Sequence, residues 1–200
     1  MQRSVSYTLV FSALVCIVCS LLVSGAAVGL KSRQEANALL DKQRNVLEAI
    51  GQLEPGQKAS RARIGELFAS VVPTLVDMRT GEYSDVEDAR TYDMAAAMSD
   101  PARSTEAPAN AAQVRRVPRH GLVYRVMDGD ALQMVVLPIE GKGLWSTLYG
   151  FLALDADGTT IRGITFYQHA ETPGLGGEVD NPAWKRSWRG RQAFDASGRA

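Results

Sequence analysis

The chain opens on a long apolar segment that fits the thickness of a membrane. No charged residue occurs between Tyr7 and Leu30, and residues 9–23 are continuously apolar or small. A helix rises about 1.5 Å per residue, so a run of this length spans a hydrocarbon core of about 30 Å. The apolar region of a cleaved signal peptide is normally shorter, about 7 to 15 residues. We therefore predict an uncleaved transmembrane helix over residues 7–30, after a short N-terminus at residues 1–6.

The charges that flank this segment leave its orientation open. Arg3 precedes the span, whereas Lys31, Arg33, Lys42 and Arg44 follow it. Counting basic residues alone favours a cytoplasmic location for the part that follows the span. A large domain after a span can nevertheless be exported regardless of such charges, so both orientations remain.

Helical periodicity continues beyond the apolar segment. Apolar residues recur there at steps of three and four with charged residues between them, namely Leu39, Leu40, Val46, Leu47 and Ile50. This pattern predicts a helical stalk within residues 31–58, which ends at the turn residues of segment 51–56. A short helix is predicted next over residues 62–72, with Ser60 as its N-cap and Pro73 as its stop.

From residue 74 onward the pattern favours strands. Strand-like runs cover residues 74–78, 122–126, 132–137, 148–154 and 160–167. Asp128-Gly129-Asp130 is typical of a hairpin turn between the second and third of these runs. One or two helical turns are predicted at residues 92–98, and residues 99–112 indicate an irregular connector. The order of elements indicates an α+β domain over residues 59–200, with a mostly antiparallel sheet of four or five strands and flanking helices.

Charge and cysteine content exclude several classes of protein. The chain has 22 basic and 22 acidic residues, so no nucleic-acid partner is indicated. Cys16 and Cys19 both lie in the apolar segment, which excludes a disulfide framework and a Cys-ligated metal site in the domain that follows. The basic stretch at residues 115–120 is predicted to be exposed, with His120 in a loop.

Two glycine-rich loops, predicted at residues 141–146 and 171–177, carry the chemistry that the pattern suggests. They leave predicted strands that are separated by one hairpin, so the two loops can lie near each other. Glycine lets the backbone approach a flat ligand, while Trp, Leu and Pro side chains can pack on ring faces. The predicted cofactor-binding residues are Gly143, Leu144, Trp145, Ser146, Glu171, Thr172, Pro173, Gly174, Leu175 and Gly176. The alternative is that Trp145 belongs to the core and the glycines only form turns.

The sequence lacks the residue patterns of metal, nucleophilic, phosphate-binding and dinucleotide-binding sites. His169 and Glu171 have only the distant His120 as a further histidine, which is too few ligands for a hydrolytic metal site. No nucleophile elbow and no phosphate loop followed by Lys-Ser/Thr occurs. The spacing of Gly174, Gly176 and Gly177 differs from the dinucleotide fingerprint. We therefore predict no catalytic and no metal-binding residue.

The chain resembles a known family at several segments. The run from Glu171 to Val179, followed by Asn181-Pro182 and Trp184, is similar to that of NqrC, one of the subunits of the sodium-translocating NADH:quinone reductase. The segment 141–150 resembles a second signature of this family, and segments 76–83 and 92–94 resemble it too. RnfG, a related electron-transport protein, shares the flavin-binding domain but resembles this chain less in segment 143–146.

The resemblance implies a single-pass protein of the bacterial inner membrane, with a cytoplasmic N-terminus and a periplasmic FMN-binding domain. It implies that FMN passes electrons within a six-subunit complex that oxidises NADH, reduces ubiquinone and moves Na+ from cytoplasm to periplasm. The partners it implies are the other subunits and the membrane. The rival hypotheses are a flavin-free, membrane-anchored assembly module and an RnfG-type electron-transport protein.

One departure from the family concerns the attachment of FMN. The family joins the FMN phosphate to a threonine of a Ser-Gly-Ala-Thr motif, and this motif is absent from the sequence. Ser197-Gly198-Arg199-Ala200 is not that motif. We therefore expect the sequence to be truncated at its C-terminal end, and we assign no attachment residue.

Overall fold

A computed structural model of the chain describes residues 4–110 and 112–195. Contacts divide the chain into two units, Met1–Leu40 and Asp41–Ala200. The division falls inside the first helix, α1 (Val5–Ala49), so the first unit is helical almost wherever it is described.

The first unit contains the apolar segment. The Ser4 hydroxyl accepts a hydrogen bond from the Tyr7 N–H over 3.2 Å, which caps the start of α1. The most apolar 18-residue window of α1 has a mean hydropathy of 2.5, and none of it is buried. By length and composition, α1 is the one helix in residues 4–110 and 112–195 that could cross a membrane.

The second unit begins with the last turns of α1. Val46, Leu47 and Ala49 are buried, as the spacing of apolar residues predicts. Gly51 ends the helix with a φ of +77°, and the Gln52 N–H donates to the Leu47 carbonyl over 2.9 Å. A glycine in the left-handed region is a common helix stop, because it carries no Cβ.

A six-stranded sheet forms the body of the second unit. Its strands are β1 (Val71–Asp77), β2 (Tyr83–Ser84), β5 (His120–Asp128), β6 (Ala131–Lys142), β7 (Thr147–Asp155) and β8 (Ile161–Gln168). Their order is β2-β1-β5-β6-β7-β8, and every neighbouring pair is antiparallel. The predicted α+β class with a mostly antiparallel sheet and flanking helices is confirmed, but the prediction of four or five strands is wrong. The predicted hairpin turn joins β5 to β6.

The flanking helices are short. They are α2 (Arg61–Phe68), α3 (Met94–Ser99) and α4 (Pro182–Arg186), and a 3-10 helix covers Gly176–Asp180. The predicted helix at residues 62–72 ends earlier than expected, because its last residues belong to β1. Pro73 lies opposite Tyr124 in that strand rather than stopping a helix. Proline is tolerated there because β2 pairs only with Leu75 and Val76, so β1 is an open edge at Pro73.

Ser60 offers a test of the predicted cap of α2. Its hydroxyl accepts a hydrogen bond from the Arg63 N–H over 3.2 Å. Ser60→Ala removes this acceptor and should lower the free energy of unfolding of the full chain by about 1 kcal/mol. Chemical denaturation in detergent measures the change, and Ser60→Asn is the matched control because asparagine also caps helices well. An equal loss in both variants would contradict a capping role.

The predicted irregular connector contains ordered structure. Within it, β3 (Ser104–Glu106) pairs with β4 (Arg116–Pro118) in a separate two-stranded sheet. The buried Ser104 hydroxyl donates to the Asp100 carbonyl over 2.6 Å and accepts from Arg116 Nε over 2.8 Å. Pro118 is buried, and Arg116, Val117 and His120 are half-buried. The prediction of an exposed basic stretch is therefore confirmed only for Arg115 and Arg119. His120 begins β5 instead of lying in a loop.

One face of the large sheet carries a row of aromatic rings. Phe151 packs edge-on against Tyr124, with centroids 5.8 Å apart, and stacks on Tyr167 at 5.1 Å. Tyr124 also contacts Phe68 of α2, so this helix covers the same face. Burial raises the pKa of Tyr124 to about 12, so this phenol stays neutral to a higher pH than an ordinary tyrosine does.

Candidate functional site

The two glycine-rich loops, residues 143–146 and 169–177, lie at the same end of the sheet. The first joins β6 to β7 and begins directly after the pair Lys142–Thr147. The second follows β8, whose last residue, Gln168, lies opposite Tyr149 of β7. Since β7 pairs with both neighbours, the antiparallel order brings the loops together, as the predicted strands suggest.

The Glu171 carboxylate binds the backbone of the first loop. Its Oε1 accepts hydrogen bonds from the N–H groups of Trp145 and Ser146, each over 3.1 Å. Its Oε2 accepts from the Leu144 N–H over 3.3 Å. Three consecutive amides therefore converge on one carboxylate and form an anion-binding nest. The first loop is closed on itself by the Gly143 N–H, which donates to the Ser146 carbonyl over 2.8 Å.

Ser146 joins the loops in the other direction as well. Its hydroxyl accepts from the Ala170 N–H over 2.8 Å and lies 3.4 Å from Oε1 of Glu171, to which it donates. The backbone and side chain of Ser146 and the side chain of Glu171 thus bond reciprocally. We call this arrangement the loop junction, defined by Ser146, Glu171 and the amides of residues 144–146.

Two glycines give the Glu171 side chain its space. A Cβ on Gly143 would collide with Oε1 of Glu171 and with Leu148 Cδ1. A Cβ on Gly176 would lie 2.8 Å from Oε2 of Glu171 and 3.0 Å from its Cβ. One glycine from each loop therefore borders the carboxylate, which explains why residues without a side chain stand at these positions.

The hydrogen bonds decide the charge of Glu171. Burial raises the pKa of this carboxyl, since only 9% of the residue is exposed. The bonds from the backbone of Trp145, Ser146 and Leu144 and from the Ser146 hydroxyl together lower the pKa by more, so the net pKa lies below that of ordinary glutamate. The junction is therefore complete above the ordinary carboxyl pKa and is lost as pH falls through the lowered one.

The tips of both loops expose apolar side chains. Leu144 and Trp145 are 81% and 68% exposed on the first loop, and Leu175 is 73% exposed on the second. The alternative that Trp145 belongs to the core is therefore wrong. Large apolar side chains that are exposed close together mark ligand or partner sites, and the Glu171 carboxylate holds these two loops next to each other.

The remaining predicted residues form the turn of the second loop. The Thr172 carbonyl accepts from the N–H groups of Leu175 and Gly177, over 3.1 and 3.0 Å. Gly174 has a φ of +75°, a conformation that favours glycine. Thr172, Pro173 and Gly174 are exposed, and within the described part of the chain no hydrogen bond joins them to the first loop.

Sequence reasoning missed a network of hydrogen bonds and ion pairs that begins at His169, directly before the second glycine-rich run. His169 Nε2 lies 2.8 Å from Oδ2 of Asp180, and Lys185 Nζ lies 3.7 Å from Oδ1 of the same residue. Lys185 also donates to the buried Thr165 hydroxyl over 3.3 Å. His169 Nδ1 accepts a hydrogen bond from the Glu171 N–H over 3.3 Å, so this network is connected to the loop junction. His169 and Asp180 are 11 residues apart in sequence, and Lys185 and Thr165 are 20 apart. Local sequence patterns therefore could not predict these pairs.

The arrangement suits a flat, partly apolar ligand better than acid–base chemistry. The carboxylate of Glu171 is occupied by four donors, whereas Leu144, Trp145 and Leu175 offer apolar surface toward solvent. An isoalloxazine ring has this flat shape, and these residues fit it. Residues 197–200, where the attachment motif was considered, lie outside the described residues.

Comparison with known proteins also indicates a flavin-binding domain. The FMN-binding domain family matches residues 143–199, a range that begins at the first loop and contains the second. The C subunit of the Na(+)-translocating NADH-quinone reductase of Pseudomonas aeruginosa is 47% identical, over 98% of this chain and 76% of the relative. The corresponding protein of Yersinia pestis is 44% identical, over 98% of this chain and 74% of the relative.

Solved structures agree in fold. The crystal structure of Shewanella oneidensis NqrC matches with a TM-score of 0.73 and 34% identity, over 82% of this chain and 74% of that chain. The corresponding structure from Parabacteroides distasonis has a TM-score of 0.63 over 85% of this chain and 73% of that chain. Its 24% identity supports the fold alone.

Proposed function

We propose a function from the premise that the chain belongs to the NqrC family of the Na(+)-translocating NADH-quinone reductases. As a member, it is part of a multi-subunit oxidoreductase, with an FMN-binding domain and a membrane anchor. In our proposal it carries FMN and transfers electrons within a six-subunit complex. This complex oxidises NADH, reduces ubiquinone and moves Na+ from cytoplasm to periplasm, and the domain after the anchor lies in the periplasm.

The observation that carries this proposal is the geometry of the two loops. Both lie within the residues that match the FMN-binding domain family. The loop junction holds them together, and their tips present Leu144, Trp145 and Leu175 to solvent. This surface is suited to a flat ring that must remain accessible to electron donors and acceptors.

The residues of the two loops would bind and orient the cofactor. When bound, FMN would supply the electron-transfer chemistry. Trp145 can lie against the ring face, and Leu144 and Leu175 can exclude water from it. Gly174 carries no Cβ, so the backbone of the second loop can come close to a planar ligand. Glu171 donates no proton here, because its ionised carboxylate accepts hydrogen bonds only.

Flavin content of the native protein tests the proposal directly. We would purify the protein from its host membrane, denature it, and measure flavin fluorescence both on the gel band and in the supernatant. About one FMN per chain is expected in the two fractions together. A fluorescent band would indicate covalent attachment, and released FMN would indicate non-covalent binding. Absence of flavin from both fractions would overturn the proposal in favour of a flavin-free assembly module.

Trp145→Ala tests which side chain lies against the flavin. Loss of the aromatic contact should weaken flavin binding by about twofold to tenfold and increase the fluorescence of the bound flavin, since a stacked indole quenches it. Equilibrium dialysis and fluorescence of the full chain measure both effects. Tyr83→Ala is the matched control, because Tyr83 is a similarly exposed aromatic (60%) on the distant edge strand β2. Equal behaviour of the two variants would remove Trp145 from the site.

A further inference from the structure

The role of Glu171 differs from that of a ligand-contacting residue. A carboxylate beside a flavin would normally be assigned to a polar edge of the ring. Here, however, Oε1 and Oε2 are directed at the amides of residues 144–146, and the residue is only 9% exposed. The side chain that the sequence places among the binding residues is therefore used within the protein.

The loop junction is the polar connection between the two loops in the described part of the chain. Four hydrogen bonds lead from the first loop to the Glu171 carboxylate, and a fifth leads from the Ala170 N–H to the Ser146 hydroxyl. Bonds to an ionised acceptor are stronger than neutral ones. The junction therefore sets the distance between the Trp145 tip and the Leu175 tip.

The residues around the carboxylate leave it little freedom to turn elsewhere. Gly143 borders one side and Gly176 the other, each at a distance that leaves no room for a Cβ. The Glu171 backbone is itself held by its N–H, which donates to His169 Nδ1. A side chain that is confined in this way holds other groups in place and is not free to contact a ligand.

We propose that Glu171 is a positioning residue: its carboxylate sets the spacing of the two loops, and it acts on the flavin through Trp145 and Leu175 without contacting it. Only the second part of this proposal, the effect of Glu171 on the flavin, rests on the proposed function. The first part, the junction itself, concerns residues of this chain and can be tested without any cofactor.

The cofactor-independent test is amide hydrogen exchange in the full chain in detergent. Glu171→Ala should accelerate exchange of the Leu144, Trp145 and Ser146 amides by about tenfold or more, because three protected donors lose their charged acceptor. Glu171→Gln keeps one carbonyl oxygen and should give an intermediate rate. Glu178→Gln is the matched control, since Glu178 lies in the 3-10 helix that follows the turn of the second loop, and in the described region its carboxylate bonds only to Asn181. Unchanged exchange in Glu171→Ala would overturn the junction.

The second test reads the flavin in the assembled, flavin-loaded protein. We expect the midpoint potential and the visible spectrum of the flavin to change most in Glu171→Ala and less in Glu171→Gln, with Glu178→Gln equal to wild type. Ser146→Ala removes one junction hydroxyl and should shift both quantities in the same direction as Glu171→Ala. Faster exchange without any change in potential or spectrum would overturn the positioning role. Absence of flavin from the wild-type protein would overturn the proposed function while leaving the exchange result valid.

Discussion

Gly163→Val is expected to lower the free energy of unfolding of the full chain by about 3 kcal/mol or more. Gly163 lies in β8, where the last turn of α1 packs directly on the sheet. A Cβ at this position would collide with the carbonyl oxygen of Ala49, which belongs to the helix backbone. Backbone cannot rotate away as a side chain can, so the end of α1 would have to move off β8. Overpacking of this kind commonly costs about 1 to 3 kcal/mol, and more where the neighbour is rigid.

Gly65→Ala is the matched control for this prediction. Gly65 lies inside α2, and a Cβ there would meet nothing within 4 Å. Alanine favours a helix interior over glycine by about 1 kcal/mol, so this variant should be neutral or slightly more stable. Chemical denaturation of both variants in detergent gives the comparison. If Gly163→Val unfolds at the wild-type denaturant concentration, the helix does not pack on β8 as closely as described.

The elements that sequence could predict are those set by local patterns. The hairpin of β5 and β6 follows from two strand-like runs around Asp128-Gly129-Asp130, and the start of α2 follows from Ser60. The local pattern predicts a helix for the first residues of β1, because apolar residues at steps of three and four continue through Val71. Tertiary pairing with β5 overrides that local preference. The small sheet of β3 and β4 was missed for the same reason, since Ser104 is ordered by the distant Arg116.

The candidate site, too, could be predicted from the sequence only in part. The predicted strands place both loops at the same end of the sheet, because strand order follows from hairpins. The partners of Glu171 lie 25 to 27 residues away, so no spacing rule could separate a ligand-binding carboxylate from one that binds backbone amides. The glycines gave the only signal: Gly143 and Gly176 make room for the Glu171 side chain. Sequence alone could interpret them only as places for a ligand to approach.

Gly143→Ala should separate the two loops and weaken flavin binding by about tenfold to a hundredfold, in keeping with the roughly 1 to 3 kcal/mol typical of overpacking. The added Cβ would collide with Oε1 of Glu171 and lie 2.9 Å from its Cδ. Relief requires the carboxylate to leave the amides of residues 144–146. Gly141→Ala is the control two residues earlier, because the nearest atom to its Cβ is Ala112 Cβ at 3.7 Å, an ordinary contact. Flavin titration of the two full-length variants measures the difference.

A double-mutant cycle identifies the cause of the Gly143 effect. If the collision with Glu171 is responsible, Gly143→Ala should change flavin binding little in a chain that already carries Glu171→Ala. The two substitutions would then be strongly non-additive, as expected for residues in direct contact. If the collision with Leu148 were responsible instead, the two effects would add. Additivity would therefore show that the effect of Gly143→Ala arises from a contact other than the one with the Glu171 carboxylate.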